Sequence, residues 1–184
     1  MRKALALLLP AALLSWGCAG TPQTPQGASP ARVVAPSSLG AERTVSQLVR
    51  GAIGTREATL NCVVTVKGSE MTVVGLNAMG IRLFTVRYDG QTVQAEQGLP
   101  IPEQLTPERL LADLQFVFWP VDALRAPLAE DGWEINDAPG TRRLRRDGRL
   151  VAEAHYASDD PWSGRSWLVN FEYGYSMQID SKAM

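Results

Sequence analysis

The side chains that could do chemistry are few, and the single histidine, His155, comes first among them. General acid–base and nucleophilic catalysis at neutral pH draw most often on an imidazole. A serine hydrolase would have to join His155 to an acid and to a serine on a Gly-x-Ser-x-Gly elbow, and no such elbow occurs in the 184 residues. Of the two cysteines, Cys18 and Cys62, the second sits in an alternating apolar run and reads as a small buried hydrophobe, a poor nucleophile. Zinc sites draw mainly on His and Cys, which are too few here to form one, so no metal ligand and no cofactor is assigned. Asp159-Asp160-Pro161 reads as a turn, in which Asp bonds its own backbone and Pro fixes φ. The expectation is a protein that is not an enzyme.

Charge offers one further group: Arg142, Arg143, Arg145, Arg146 and Arg149 surround one Asp-Gly turn. They could form a patch for lipid phosphates. Alternation along a strand, however, sends successive side chains to opposite faces, and charges on an outer strand discourage edge-to-edge pairing without binding anything. The second reading is favoured.

The N-terminus carries the clearest signal. Arg2 and Lys3 precede an apolar stretch from Ala4 to Leu14 broken only by Pro10, and small residues follow before Cys18. The run is shorter than the roughly 20 apolar residues a permanent bilayer span needs. Its charge and flanks are those of an export signal, assigned to residues 1–17. Gly17-Cys18 resembles the lipobox of bacterial lipoproteins, with Cys18 as the lipid attachment site, although Leu14 stands one place further from the cysteine than that pattern prefers. Ordinary signal-peptidase cleavage nearby, for instance after Ala19, is the alternative and would release a soluble protein. Residues 18–40, rich in Pro, Gln, Thr, Ser and Gly, read as the lipidated cysteine and a tether. Loss of Arg2 and Lys3 leaves 16 basic against 19 acidic residues, a balance that gives no footing for nucleic acid.

From about residue 41 to 184 the dominant period is two. Leu60, Cys62, Val64 and Val66 alternate with Asn61, Thr65 and Lys67, and another run begins at Met71. Asp89-Gly90 and Asp147-Gly148 lie between alternating runs and predict hairpins, with a third turn near Tyr173-Gly174. One helix interrupts the strands: Thr106 is its N-cap, Pro107 suits the first helical position, and Glu108 complements the dipole. Leu110, Leu111, Leu114, Val117 and Phe118 form its apolar stripe, with Glu108, Arg109, Asp113 and Gln115 facing mostly away. Pro120 ends it or opens a short second helix that stops before Pro127. The fold class is α+β, a curved antiparallel sheet with one or two helices. Phe118 and Trp119 close the stripe with two large rings, which a helix-on-sheet core would bury.

The Leu-Ala-Asp-Leu-Gln run at 111–115 leading into Phe118-Trp119-Pro120, the hairpin around 142–156 and the closing Asn170-Phe171-Glu172-Tyr173-Gly174-Tyr175 together resemble a family of bacterial lipoproteins. Its members are typically encoded beside genes for aryl polyene or flexirubin-type pigments. That family is in turn similar to LolA and LolB, the periplasmic carrier and outer-membrane acceptor of lipoproteins. The likeness covers about residues 41–182 and is most specific over 111–120. It implies an incomplete β-barrel whose concave face is covered by the helices, with an apolar cavity between; Phe118 and Trp119 would be its wall or lid, with Leu110, Leu114 and Val117 beneath them, and the same residues would equally build an ordinary helix-on-sheet core. LolB also places its cargo with a protruding hydrophobic loop, and no position of this chain is matched to that loop.

These observations lead to an expected outer-membrane-anchored lipoprotein that binds or accepts an acyl, polyene or lipoprotein lipid chain. Ala19 carries no aspartate of the kind that retains lipoproteins at the inner membrane in enteric bacteria. Its partners would be the membrane, through the N-terminal lipid, a hydrophobic small molecule or acyl chain, and a periplasmic carrier protein. The alternative is a non-catalytic scaffold lipoprotein; a lipid-modifying enzyme would have His155 as its best base.

Overall fold

The computed structural model describes residues 32–98 and 106–184, so Cys18, the signal segment and most of the tether lie outside the described residues. Ten strands form one antiparallel sheet: β1 Arg43–Ile53, β2 Arg56–Lys67, β3 Glu70–Leu76, β4 Arg82–Tyr88, β5 Val93–Gln97, β6 Trp133–Ala138, β7 Thr141–Arg146, β8 Arg149–Tyr156, β9 Gly164–Asn170 and β10 Tyr175–Ala183. Two helices, α1 Pro107–Phe118 and α2 Val121–Glu130, stand between β5 and β6. The spatial order is β5-β4-β3-β2-β1-β10-β9-β8-β7-β6. Two five-strand meanders are thus joined by the β1–β10 pairing, and the chain must travel from one edge of the sheet to the other between them. α1 and α2 make that journey across the concave face, where the apolar side chains converge.

Turn chemistry sets the registers. At Asp147-Gly148 both residues take positive φ, +50° and +74°, and Arg146 pairs with Arg149, a two-residue hairpin that matches strand twist. Asp89-Gly90 behaves differently. Tyr88 pairs with Val93 across a four-residue loop, because Asp89 Oδ1 accepts hydrogen bonds from the backbone N–H groups of Gln91 and Thr92. The third turn also spans four residues, 171–174, between Asn170 and Tyr175.

Three expectations need correction. The packed domain begins ahead of residue 41: Val34 and Leu39 are buried, and the Gln115 carboxamide bonds both the N–H and the C=O of Val34 at 2.7 Å. Val34 and Leu39 therefore pack with the domain, although the composition of residues 18–40 assigned them to the segment ahead of it. Asp113 and Gln115 do not face away from the core, because this N-terminal segment and the Tyr175 phenol cover them. The second helix runs through Pro127 to Glu130 instead of ending before it, held down by the buried Leu124 and Leu128. Tertiary burial here outweighs the hydrogen bond that Pro127 removes.

The five arginines do not form one patch. Arg143 pairs with Glu153 at 2.5 Å, Arg145 donates to the Gly148 carbonyl, Arg146 lies over the Trp133 ring, and Arg149 approaches Glu172. Arg142 points inward and is buried. Its guanidinium holds Asp137 at 2.6 and 3.0 Å and donates to the Phe116 and Trp119 carbonyls at 2.7 and 2.8 Å, so it ties β7 to the end of α1. Arg142→Ala orphans two carbonyls and Asp137, and should cost about 3–5 kcal/mol in urea unfolding. Arg142→Lys should recover little of it, since an ammonium cannot reproduce the fork. A loss under about 1 kcal/mol for the alanine variant would contradict this role.

Candidate functional site

Strand pairing places two cross-strand rows on the concave face beneath the first half of α1. One row runs Phe84, Gly75, Cys62, Gln47, Ser181, and the next runs Leu60, Val49, Ile179, Ser166. Above them α1 presents Pro107, Leu110, Asp113 and Leu114. Sheet and helix do not meet fully, and a cavity of about 90 Å³ remains between them. A single water needs about 10–15 Å³ by the same kind of measure, so there is room for several atoms of a ligand. Of the fifteen lining residues only Gln47, Gln97 and Asp113 are polar. The floor is buried (Val73, Val86, Leu168, Ile179), while Val49, Leu60, Met177, Pro107 and Leu110 are half-buried and Gln97 is exposed, so the pocket opens past these residues.

Two backbone features shape this space. Gly75 lies directly under the Phe84 ring, and a Cβ there would fall inside the ring, so only glycine lets Phe84 lie flat against the sheet as one pocket wall. Thr106 caps α1 by accepting from the Arg109 N–H at 3.3 Å, and Pro107 occupies the first turn as its fixed φ favours.

Of the sequence-derived cavity candidates, Leu110 and Leu114 line the pocket; Val117, Phe118 and Trp119 do not. These three are fully enclosed in the other half of the domain, where Trp162 packs on Phe118 at 4.7 Å and on Trp119 at 6.0 Å between centroids. They form solid core because β6–β9 close tightly on the helix end. Cys62 lines the pocket and is buried, which pushes its thiol up to about 12 and keeps it protonated. His155 lies outside this space, with Nε2 2.6 Å from Glu153 and a largely exposed side chain.

Residues missed in the sequence include Gln47, Asp113 and Gly75, together with Met79 and Ile81. Gln47 is polar in an inward slot between Val45 and Val49, a signal that alternation alone could have exposed. Met79 and Ile81 are 79% and 55% exposed at the β3–β4 turn, whose shape Asn77 fixes by accepting from both of their N–H groups. Leu76 pairs with Asn61, next to Leu60, which puts this apolar tip at the end of the sheet onto which the pocket opens.

Asp113 is the one buried carboxyl of the site. Tyr175 donates its hydroxyl to it, Asn170 bonds both, and the Arg109 guanidinium, stacked 3.1 Å from the Tyr173 ring centroid, lies near. Burial wins over these partners and raises its pKa to about 6, while burial and the adjacent carboxylate push the Tyr175 phenol upward.

Fold and pocket together define the class: a single curved antiparallel sheet, covered on its concave side by two helices around an apolar pocket. The chain belongs to the family described as Protein of unknown function (DUF3261), which matches residues 44–183. Among solved structures it is similar to a LolA superfamily protein from Nitrosomonas europaea, with a TM-score of 0.47 and 11% identity over 82% of this chain and 92% of that one. It is also similar to a DUF1329 family protein from Desulfovibrio piger, with a TM-score of 0.35 and 8% identity over 80% of this chain and 87% of that one. Comparison with curated proteins gives no match.

The raised pKa of Asp113 has a pH consequence. The folded state holds this proton more tightly than the unfolded chain, whose ordinary value is 3.8, so the group's contribution is most favourable below about pH 4. It is lost as pH rises through about 6, by at most about 3 kcal/mol. Asp113→Asn should therefore gain stability relative to wild type between pH 4.5 and pH 7.5, read as the difference in urea midpoints. A constant difference across that range would refute the assignment.

Proposed function

We propose that this protein is a lipid-anchored, non-catalytic envelope lipoprotein that takes up an apolar chain between its sheet and α1. The observation that carries this reading is the pocket itself, about 90 Å³ of almost wholly apolar space opening to solvent beside α1. Each methylene that enters it from water gains about 0.8 kcal/mol, enough to hold a chain end without any covalent step. The cargo is an acyl, polyene or lipoprotein lipid chain; a periplasmic carrier would exchange it. The exposed Met79 and Ile81 at the pocket's open end offer apolar side chains to a bilayer or to such a carrier. The buried, protonated Cys62 and the outward, Glu153-bound His155 fit a role without catalysis. Anchoring is assigned in this proposal to Cys18, which follows the export-signal pattern of residues 1–17, with the domain facing the periplasm from the inner leaflet of the outer membrane.

Native mass spectrometry of the full chain purified from its own membrane should show a co-purifying lipid or polyene. Leu60→Trp, which fills the mouth from a half-buried position, should remove that adduct and leave the fold intact by circular dichroism. Folded wild-type protein with no adduct would favour the scaffold alternative.

Cys18→Ser should abolish metabolic labelling with palmitate and move the protein out of the membrane fraction. Label retained on the serine variant, or a wild-type mature chain starting beyond Cys18, would overturn the anchoring half of the proposal.

A further inference from the structure

We infer that the chain accepted by this pocket carries a hydroxyl group, which Gln47 recognises. The inference rests on the apolar-chain reading above and specifies its ligand. Gln47 is 1% exposed and lines the pocket in the row between Cys62 and Ser181. Its Nε2 donates to Ser181 Oγ at 3.2 Å, and its Oε1 has no partner. A buried amide oxygen left unpaired is costly, and native interiors rarely keep one without a reason.

The other polar groups nearby are spoken for. Asp113 accepts from Tyr175 and is bonded by Asn170, and Gln97 is exposed at the mouth. Thr85, Ser166 and Tyr173 also have unpartnered hydroxyls, but none of the three borders this pocket. Among the described residues Gln47 is thus the buried lining residue of this pocket that keeps an unpartnered hydrogen-bonding atom, and because that oxygen is closed to water the amide must turn toward the cavity to meet a ligand.

The chemistry of a carboxamide then selects the ligand. A plain hydrocarbon segment seated against Gln47 leaves the amide unpaired and excludes water that could have served it. A hydroxyl-bearing segment closes the bond. A hydroxyl is also the group that fits either orientation of the amide, since it donates to an oxygen and accepts from an NH2. An ester or ketone carbonyl fits only the second, and an ammonium or carboxylate would bring a charge into apolar surroundings. Two residues along β1 separate Gln47 from Val49 at the mouth, a depth of about 7 Å, so the hydroxyl belongs on the buried part of the chain and not on a solvated head group.

The test is a competition read by native mass spectrometry. The full chain, stripped of endogenous ligand, is offered an equimolar mixture of palmitic, β-hydroxypalmitic and ω-hydroxypalmitic acids. One of the hydroxylated acids should occupy the protein about tenfold more than palmitic acid, the other marking which end enters. Gln47→Met keeps the length and apolar bulk of the side chain and should bring that ratio to about one while palmitic acid still binds. Equal occupancy by all three acids in wild type would overturn the inference and leave the apolar-chain reading standing. No binding of any acid by folded protein would overturn both. A ratio unchanged in Gln47→Met would show that the hydroxyl is met elsewhere and would likewise overturn it. Should the variant fail to fold, the wild-type ratio still decides.

Discussion

The C-terminus of α1 is the constraint on which the rest of the domain depends. A helix ends with carbonyls that have no partner inside it, and burying them in an apolar core is permissible only if other groups reach them. Here four in a row are met by side chains from the sheet and one loop. Arg142 takes the carbonyls of Phe116 and Trp119, Tyr156 takes that of Val117, and Trp162 takes that of Phe118. Arg142 and Tyr156 must point to the concave face for this to hold, and that fixes the registers of β7 and β8, because a slip of one residue would turn both outward. Burial accordingly holds the Tyr156 phenol up to about 12, as a permanent donor. From the other side Gln115 grips Val34, and Trp119 donates to Ser38 at 3.1 Å, so the N-terminal segment is strapped across the same helix end.

Fixing one end of the helix leaves the two halves of the concave face unequal. Beneath residues 117–119, past a smaller and more polar cavity of about 50 Å³ at Gln115 and Phe116, the space is filled by Trp162, Arg142 and the aromatic rings. Beneath residues 107–114 it is not, and the void costs on the order of 2 kcal/mol at the usual penalty per unit of cavity volume. Filling that half with larger side chains would recover the loss. Gly75 works in the same direction as the void, since it draws the Phe84 ring down onto the sheet and away from the helix. Packing is thus looser beneath the first half of α1 than at its C-terminal end.

Much of this was legible in the chain. Strand periodicity, the Asp-Gly turns and the Thr106–Pro107 start of α1 come from local chemistry, and an antiparallel sheet with a helical insertion follows from them, whereas the place of the helices on the concave face came from the family resemblance. Helical period put Leu110 and Leu114 on the apolar stripe of α1, but only the family resemblance suggested a cavity beneath it. What failed depends on contacts distant in sequence. Val117, Phe118 and Trp119 have the same character as Leu110 and Leu114; only the Trp162 loop, some forty residues further on, makes their half solid. Asp113 and Gln115 look like solvent-facing helix residues until Tyr175 and Val34 cover them. Pro127 reads as a stop, and the packing of Leu124 and Leu128 overrides it. Gln47 was visible as an exception to alternation, but its meaning required knowing that Ser181, at the far end of the chain, satisfies only half of it.

The outer surface explains why the arginines mislead as a binding patch. An open ten-stranded sheet has two unpaired edges, β5 and β6, that could recruit other strands. Glu96 on β5 pairs with Arg87 and approaches Arg82, while β6 alternates Glu134 and Asn136 with its inward Trp133 and Ile135. In the middle of the convex face Asp180 accepts from Arg50 and Arg165 on the two flanking strands, which holds its carboxyl down at about 2. Exposed pairs of this kind add little stability individually. Their effect is to make both edges and the outer face unattractive to apolar partners and to edge-on strand addition. With the convex side and edges charged in this way, the apolar surface of the sheet is concentrated on its concave side, beneath the helices.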